Sequence, residues 1–370
     1  MYDTMKRNLY CVIMAGGGGN TFWPVTRENR PQHFLQNYLI GNGSFLRGTF
    51  DRFAEIVPKE NILVVTLSKY ELLVRRDLPE LPVENILLEP FPRKTATCIA
   101  YASCVIRQRD PGAIMIATPA DHIIEQGPLF TDTLRKVVEC VDNNDVLMTL
   151  GIIPTAPETE YGYIQVQGGR EALSSGDPMP VKTFTEKPDA QLAEVFYRSG
   201  EFFWNAGIFI WRNETIIDEI RRWVPYLVPM LDGWAEVAGT DREETFLARA
   251  YADSEKQSID YAVMEKTDKA WLYPVQFGWA DIGSWEALCR SLPEREDAEG
   301  NLVIPEHVYL KNARGNLLLT DNPRKLLAVE GLRDCMVIDT GDVLLVCPRD
   351  DRRYRDFVTG IALPGYEEYR

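Results

Sequence analysis

Residues 12–35 read VIMAGGGGNTFWPVTRENRPQHFL. The apolar run Val12–Ile13–Met14–Ala15 has the length and composition of a buried strand. Gly16, Gly17, Gly18 and Gly19 follow it without a break. Lacking Cβ atoms, glycines after a strand let backbone N–H groups come close to a polyphosphate. Trp23, Pro24 and the cations Arg27 and Arg30 come next. A glycine stretch by itself also fits a tight turn. The Trp-Pro pair and the cations move the reading towards phosphate binding.

Working outward, apolar runs predict strands over 10–15, 62–66, 113–118, 147–153 and 206–211. Helical spacing of apolar residues appears between them, over 97–109 and 130–142. This alternation predicts an α/β domain, Rossmann-like, with a mostly parallel sheet. Ligands of such sheets bind where loops leave the carboxyl ends of the strands. The glycine loop and Pro119-Ala120-Asp121-His122 both follow strands, so both are expected on that edge. The polar, turn-rich stretch 292–301 reads as a linker, giving a first domain over 1–291 and a second over 292–370. Short β-like runs over 315–320, 325–329, 335–339 and 343–347 predict that the second is a small β domain.

Composition narrows the function. The chain of 370 residues carries a net charge of -15, which argues against nucleic-acid and anionic-membrane partners, since both need a basic surface. A nucleotide ligand needs only a local positive pocket. No apolar run approaches the roughly 20 residues of a membrane span. Seven scattered cysteines without C-x-x-C spacing predict reduced thiols in a cytoplasmic protein, with Cys11, Cys335 and Cys347 buried in strands. Three histidines make a zinc site improbable.

Further segments carry site chemistry. Glu89-Pro90-Phe91-Pro92-Arg93-Lys94-Thr95-Ala96 reads as a helix start, with Thr95 near the cap. Asp121 reads either as a turn cap or as a hard carboxylate holding Mg²⁺ against phosphates. Tyr161-Gly162-Tyr163, Glu186-Lys187-Pro188 and Trp204-Asn205-Ala206 offer a close backbone approach, a carboxylate beside an ammonium, and an amide that both donates and accepts. A ligand rich in hydroxyls wants these types, because each hydroxyl also donates and accepts. Each pair alone is an ordinary surface feature.

Taken together these segments resemble the sugar-1-phosphate nucleotidyltransferases, above all the mannose-1-phosphate guanylyltransferases, whose loop reads roughly GGxGTRxWPxSRxxxPKQF. The resemblance runs from about residue 9 to 348. It implies Gly16, Gly17, Gly19, Arg93, Thr95 and Pro119 for the nucleotide, with Lys94 standing where the family has asparagine, able to reach a phosphate or to clash with the base pocket, and Gly162, Glu186, Lys187 and Asn205 for the sugar phosphate. Asp121 and Asp281 are implied as a Mg²⁺ pair, with Arg27 and Arg30 as catalytic cations. Substrates would be GTP and mannose-1-phosphate, and the product GDP-mannose. A homodimer and a left-handed β-helix-like C-terminal segment are implied as well. Ser258–Lys266 also matches, as a helix beneath the sugar site with Asp260 reaching it indirectly.

Two charged family positions differ. Thr21 stands where the family has arginine, and Gln32 where it has lysine. Losing one preorganised donor at developing charge costs roughly 3–4 kcal/mol. Arg27, Arg30, His33 and Lys94 are the cations that could replace them. On sequence alone three readings stay open: an active transferase, an impaired homologue that binds a nucleotide sugar and regulates a partner, and a transferase with another base or sugar.

Overall fold

The structure, a computed structural model, describes residues 8–18, 21–35, 43–169, 176–361 and 365–369. Gly19 lies outside the described residues. The chain divides into two compact units, each built from separated stretches. The larger holds the chain up to Gly16, Thr49–Ala120 and Ile124–Trp279; the smaller holds Gly17–Gly48, Asp121–Ile123 and Ala280–Arg370.

A nine-stranded sheet forms the larger unit. Its strands are β1 (Leu9–Met14), β2 (Ile62–Leu67), β3 (Ile86–Glu89), β4 (Ile114–Pro119), β6 (Leu147–Ile152), β7 (Tyr163–Val166), β8 (Met179–Thr185), β9 (Phe202–Arg212) and β10 (Ala270–Val275). The order is β3-β2-β1-β4-β9-β6-β10-β8-β7. β3, β2, β1 and β4 run parallel, as do β6 and β10. β9 runs antiparallel to both β4 and β6, and β8 antiparallel to β7 and β10. The sheet is therefore mixed, which corrects the expectation of a mostly parallel one. Strand β9 is covered on both faces, and such a strand has the same apolar run in either direction.

The helix Thr95–Arg109 buries every residue from Ala96 to Ile106. A helix apolar all round belongs inside a core, and this one packs among Tyr10, Val12, Leu63 and Met115. The helix Gly127–Asn143 is amphipathic instead, burying Phe130, Leu134, Val137, Val138 and Val141 on one stripe.

The smaller unit holds β12 (Leu302–Val303), β13 (Val308–Lys311), β14 (Leu317–Thr320), β15 (Leu327–Glu330), β16 (Cys335–Asp339) and β17 (Leu344–Pro348). β12, β14 and β16 form parallel ladders, β17 closes on β16 antiparallel, and β13 pairs with β15 in parallel. Phe22, Trp23 and Val25 are buried against Trp285, Leu317, Met336, Ile338 and Tyr354. The peptide bond between Trp23 and Pro24 is cis. The aromatic half of the opening motif is thus core, not ligand surface.

The stretch 292–301 is not a free linker: Leu292 is buried, and Asn301 is fully buried. Asn301 donates to the Ala313 carbonyl at 3.1 Å and accepts from the Asn316 N–H at 3.0 Å. The segment after Pro348 forms a helix, Asp351–Ile361, whose Tyr354 hydroxyl donates to the Trp23 carbonyl at 2.7 Å. All seven cysteines are free, with Cys335 and Cys347 half-buried rather than buried. Among the described residues no helix is long and apolar enough to cross a membrane.

Candidate active site

In the larger unit, the end of β1 leads into Gly16. A Cβ at Gly16 would stand 2.6 Å from Glu89 Oε2, so only glycine lets the loop pass over the end of β3. Glu89 is 5% exposed, and its Oε1 accepts a hydrogen bond from the Tyr251 hydroxyl at 3.1 Å. Burial raises its carboxyl from 4.5 to about 7, against the downward pull of that hydrogen bond. Pro119 ends β4 directly beside Met14, next to the start of the glycine loop.

Lys94 sits just before the helix Thr95–Arg109 with φ 64° and ψ -171°. That region is almost reserved for glycine, and backbone strain of this kind gathers at functional sites. The side chain is exposed. Its neighbours in the motif are otherwise engaged. Arg93 Nε donates to the Tyr251 carbonyl at 2.6 Å, and Thr95 Oγ1 accepts from the Ile259 N–H at 2.8 Å. Both expected nucleotide ligands therefore anchor the 251–259 segment.

The three expected sugar segments meet in the same unit. The Asn205 N–H donates to the Gly162 carbonyl at 2.8 Å. A Cβ at Gly162 would lie 2.6 Å from Glu186 Oε2 and 3.3 Å from Asn205 Cβ. Lys187 follows with φ 44°, a left-handed backbone. Asn205 Oδ1 accepts from Thr149 Oγ1 at 2.8 Å and from the Gly207 N–H at 3.1 Å. Asn205 Nδ2 donates to Asp260 Oδ1 at 2.8 Å. The amide expected to both donate and accept has only a donor left to offer. Burial raises the Asp260 carboxyl, while its own N–H, Asn205, the Lys187 charge and Ser258 oppose that rise. Asp260, expected to reach the sugar site indirectly, is bonded to Asn205.

The remaining expected groups lie in the smaller unit. Asp121 accepts a short hydrogen bond from the Gln32 side-chain amide. His33 Nδ1 lies 3.9 Å from the same carboxylate. Burial alone would raise Asp121; the contact and charge of His33, the charge of His122 and the Gln32 bond outweigh it and hold the carboxyl below its ordinary range. His33 is 4% exposed, and its ring nitrogens have no hydrogen-bond partner among the described residues. A Cβ at Gly17 would come 3.2 Å from the His33 ring.

Strand β5 (His122–Ile124) pairs with β11 (Trp279–Asp281), which brings the segments of Asp121 and Asp281 side by side. Among the described residues no group of three or more His, Cys, Asp or Glu could hold a metal ion. Magnesium asks for less, one or two carboxylates completed by water and substrate phosphates, and two hard carboxylates suit it.

The two arginines, expected as catalytic cations, differ in their surroundings. Arg27 Nη2 pairs with Asp342 Oδ1 at 2.9 Å, its Nη1 donates to the Pro24 carbonyl, and its guanidinium lies over the Trp23 ring. It ties the loop to the turn before β17, and its charge is matched there. Arg30 lines a cleft of about 510 Å³ with Asn29, Asp321 and Thr340. Among the described residues its buried Nε has no partner.

The glycine loop begins at the end of β1, in a parallel ladder, and Gly162, Glu186 and Asn205 meet in the same unit. Residues 10–297 match the nucleotidyl transferase family model, and the chain belongs to that family. It is 35% identical to a mannose-1-phosphate guanylyltransferase of Klebsiella pneumoniae over 92% of this chain and 70% of that protein. It is 33% identical to the xanthan biosynthesis protein XanB of Xanthomonas campestris over 96% of this chain and 74% of that protein. Among solved structures, a mannose-1-phosphate geranyltransferase from Thermus thermophilus superposes with a TM-score of 0.82 at 30% identity, covering 96% of this chain and all of that one.

Proposed function

We propose that this protein is a mannose-1-phosphate guanylyltransferase, joining GTP and mannose-1-phosphate into GDP-mannose and pyrophosphate. The observation that carries the reading is the convergence of Gly162, Glu186 and Asn205, three distant segments, on one group of hydroxyl-compatible atoms. The curated relatives of the same name support it.

A phosphate oxygen of mannose-1-phosphate attacks the α-phosphorus of GTP. The new P–O bond forms as the bond from Pα to the β,γ-pyrophosphate breaks, and the pyrophosphate leaves with that electron pair. No covalent enzyme intermediate is needed, so catalysis rests on positioning and charge. The backbone after β1 approaches the phosphates because Gly16 and Gly17 carry no side chain. Lys94, exposed at a helix start, supplies a cation for them, and Lys187 one for the sugar phosphate. Asp121 and Asp281 would hold Mg²⁺, which when bound neutralises phosphate charge. The depressed Asp121 carboxyl is ionised at neutral pH, as a metal ligand must be. The parallel ladders of β12, β14 and β16 support the reading of the C-terminal strands as a short β-helix-like coil.

The test is pyrophosphate release from GTP with mannose-1-phosphate and Mg²⁺. Turnover that needs both substrates is expected. Turnover only with another base or another hexose phosphate would replace the assignment.

A further inference from the structure

We propose that Asp260 is a specificity-determining acceptor of the sugar subsite, taking a hydrogen bond from a hydroxyl of the hexose phosphate. The inference rests on the transferase reading above and adds a residue to it.

The argument starts from what Asn205 has left. Its amide oxygen is filled by Thr149 and Gly207, and one amide hydrogen goes to Asp260. Only one Nδ2 hydrogen remains, so Asn205 offers the sugar a donor and nothing else. A sugar hydroxyl that accepts from Asn205 still has a proton to give. The acceptor next to that donor is the Asp260 carboxylate.

Asp260 has the capacity for it. An ionised carboxylate offers about four acceptor positions. Asn205, the Ser258 hydroxyl and its own N–H use three of these. The residue is half-buried. A half-buried aspartate with an unused acceptor position, beside an amide donor, makes a paired reader for one hydroxyl.

The local backbone explains how it comes to face there. Residues Asp260–Met264 form a π-helical turn, closed by the bond from the Glu265 N–H to the Asp260 carbonyl at 2.9 Å. Such turns insert an extra residue into a helix and recur at functional sites. While Ala262, Val263 and Met264 stay in the core, Asp260 bonds to Asn205, and Glu265 Oε1 accepts from the Glu186 N–H at 3.0 Å. One turn thereby touches two of the three sugar segments.

The discriminating variant is Asp260→Asn. It keeps an oxygen for Asn205 but turns an NH₂ group, a donor, towards the sugar. A purely structural Asp260 would register the change as lost stability, because Ser258 and its own N–H also donate to the carboxylate, with no preference between the two substrates; a hydroxyl acceptor would lose sugar affinity selectively. Steady-state kinetics on the full chain should show KM for mannose-1-phosphate raised about tenfold or more and KM for GTP unchanged within about twofold. Single-deoxy analogues of mannose-1-phosphate sharpen the test. The analogue lacking the bonded hydroxyl should suffer in the wild type and lose no more in the variant. An unchanged sugar KM, or equal losses for every deoxy analogue in both proteins, overturns the proposal. If the wild type turns over a different hexose phosphate, the transferase assignment fails, and the same comparison is run with that sugar. If it turns over none, calorimetric binding of mannose-1-phosphate to wild type and variant decides: weaker binding by the variant supports the role, and equal or absent binding overturns it.

Discussion

Gln32 donates its side-chain amide to the Asp121 carboxylate, so the residue standing in the family's lysine position is bonded to the carboxylate expected to hold magnesium. The substitution keeps a donor at this place and removes its charge. Nearby, His33 adds a buried ring whose nitrogens have no bonded partner among the described residues.

Gln32→Lys should therefore raise turnover. The lysine retains an N–H for Asp121 and restores a positive charge that phosphate chemistry uses. Removing a whole preorganised donor typically costs 10²–10³ in rate; here only the charge is missing, so a smaller gain of about tenfold in kcat is expected. Pyrophosphate-release kinetics measure it. A kcat that is unchanged or lower would mean that Gln32 has been compensated elsewhere, with Lys94 the next residue to change.

Gly162→Ala should weaken sugar binding selectively. The added Cβ would sit 2.6 Å from Glu186 Oε2, closer than real contacts allow, and 3.3 Å from Asn205 Cβ. The carboxylate must swing away, since it is the movable partner. Overpacking of this size costs roughly 1–3 kcal/mol. The expected result is a higher KM for mannose-1-phosphate with KM for GTP nearly constant. Equal effects on both substrates would count against the placement of Glu186 at the sugar.

Glu89 makes stability depend on pH. Burial holds its folded-state value near 7, above the 4.5 of an exposed glutamate. Between those values the folded chain keeps a proton that the unfolded chain has released. The contribution is fully present below the unfolded value and is lost as pH rises through about 7. Its size is at most about 3 kcal/mol from the shift. Glu89→Gln, which cannot ionise, should flatten this fall. Thermal melts of both proteins across that window give the answer, and parallel curves would show that Glu89 does not titrate there.

Much of the fold was legible in the chain. Apolar runs placed β1, β2, β4 and β6 within a residue or two, and the buried helix within two. The helix Asp351–Ile361 escaped because its sequence carries many charges, and its deeply buried Tyr354 is bonded to the carbonyls of Thr21 and Trp23, more than 330 positions away. The Arg27 ion pair with Asp342 escaped for the same reason. Nothing near it in sequence announces Asp342 as its partner, 315 positions on.

By itself the sequence determined that strands alternate with helices, that a glycine loop follows the first strand, and which residue types each motif offers. Those follow from local periodicity and from steric freedom at single positions, which neighbours along the chain specify. Only the tertiary structure decided strand direction in the mixed sheet, the pairing of Arg27 with Asp342, and the use of both ends of the Asn205 amide. A polar side chain acquires its role from whichever groups meet it in space. For Asn205 those are Thr149 and Asp260, more than fifty residues away on either side.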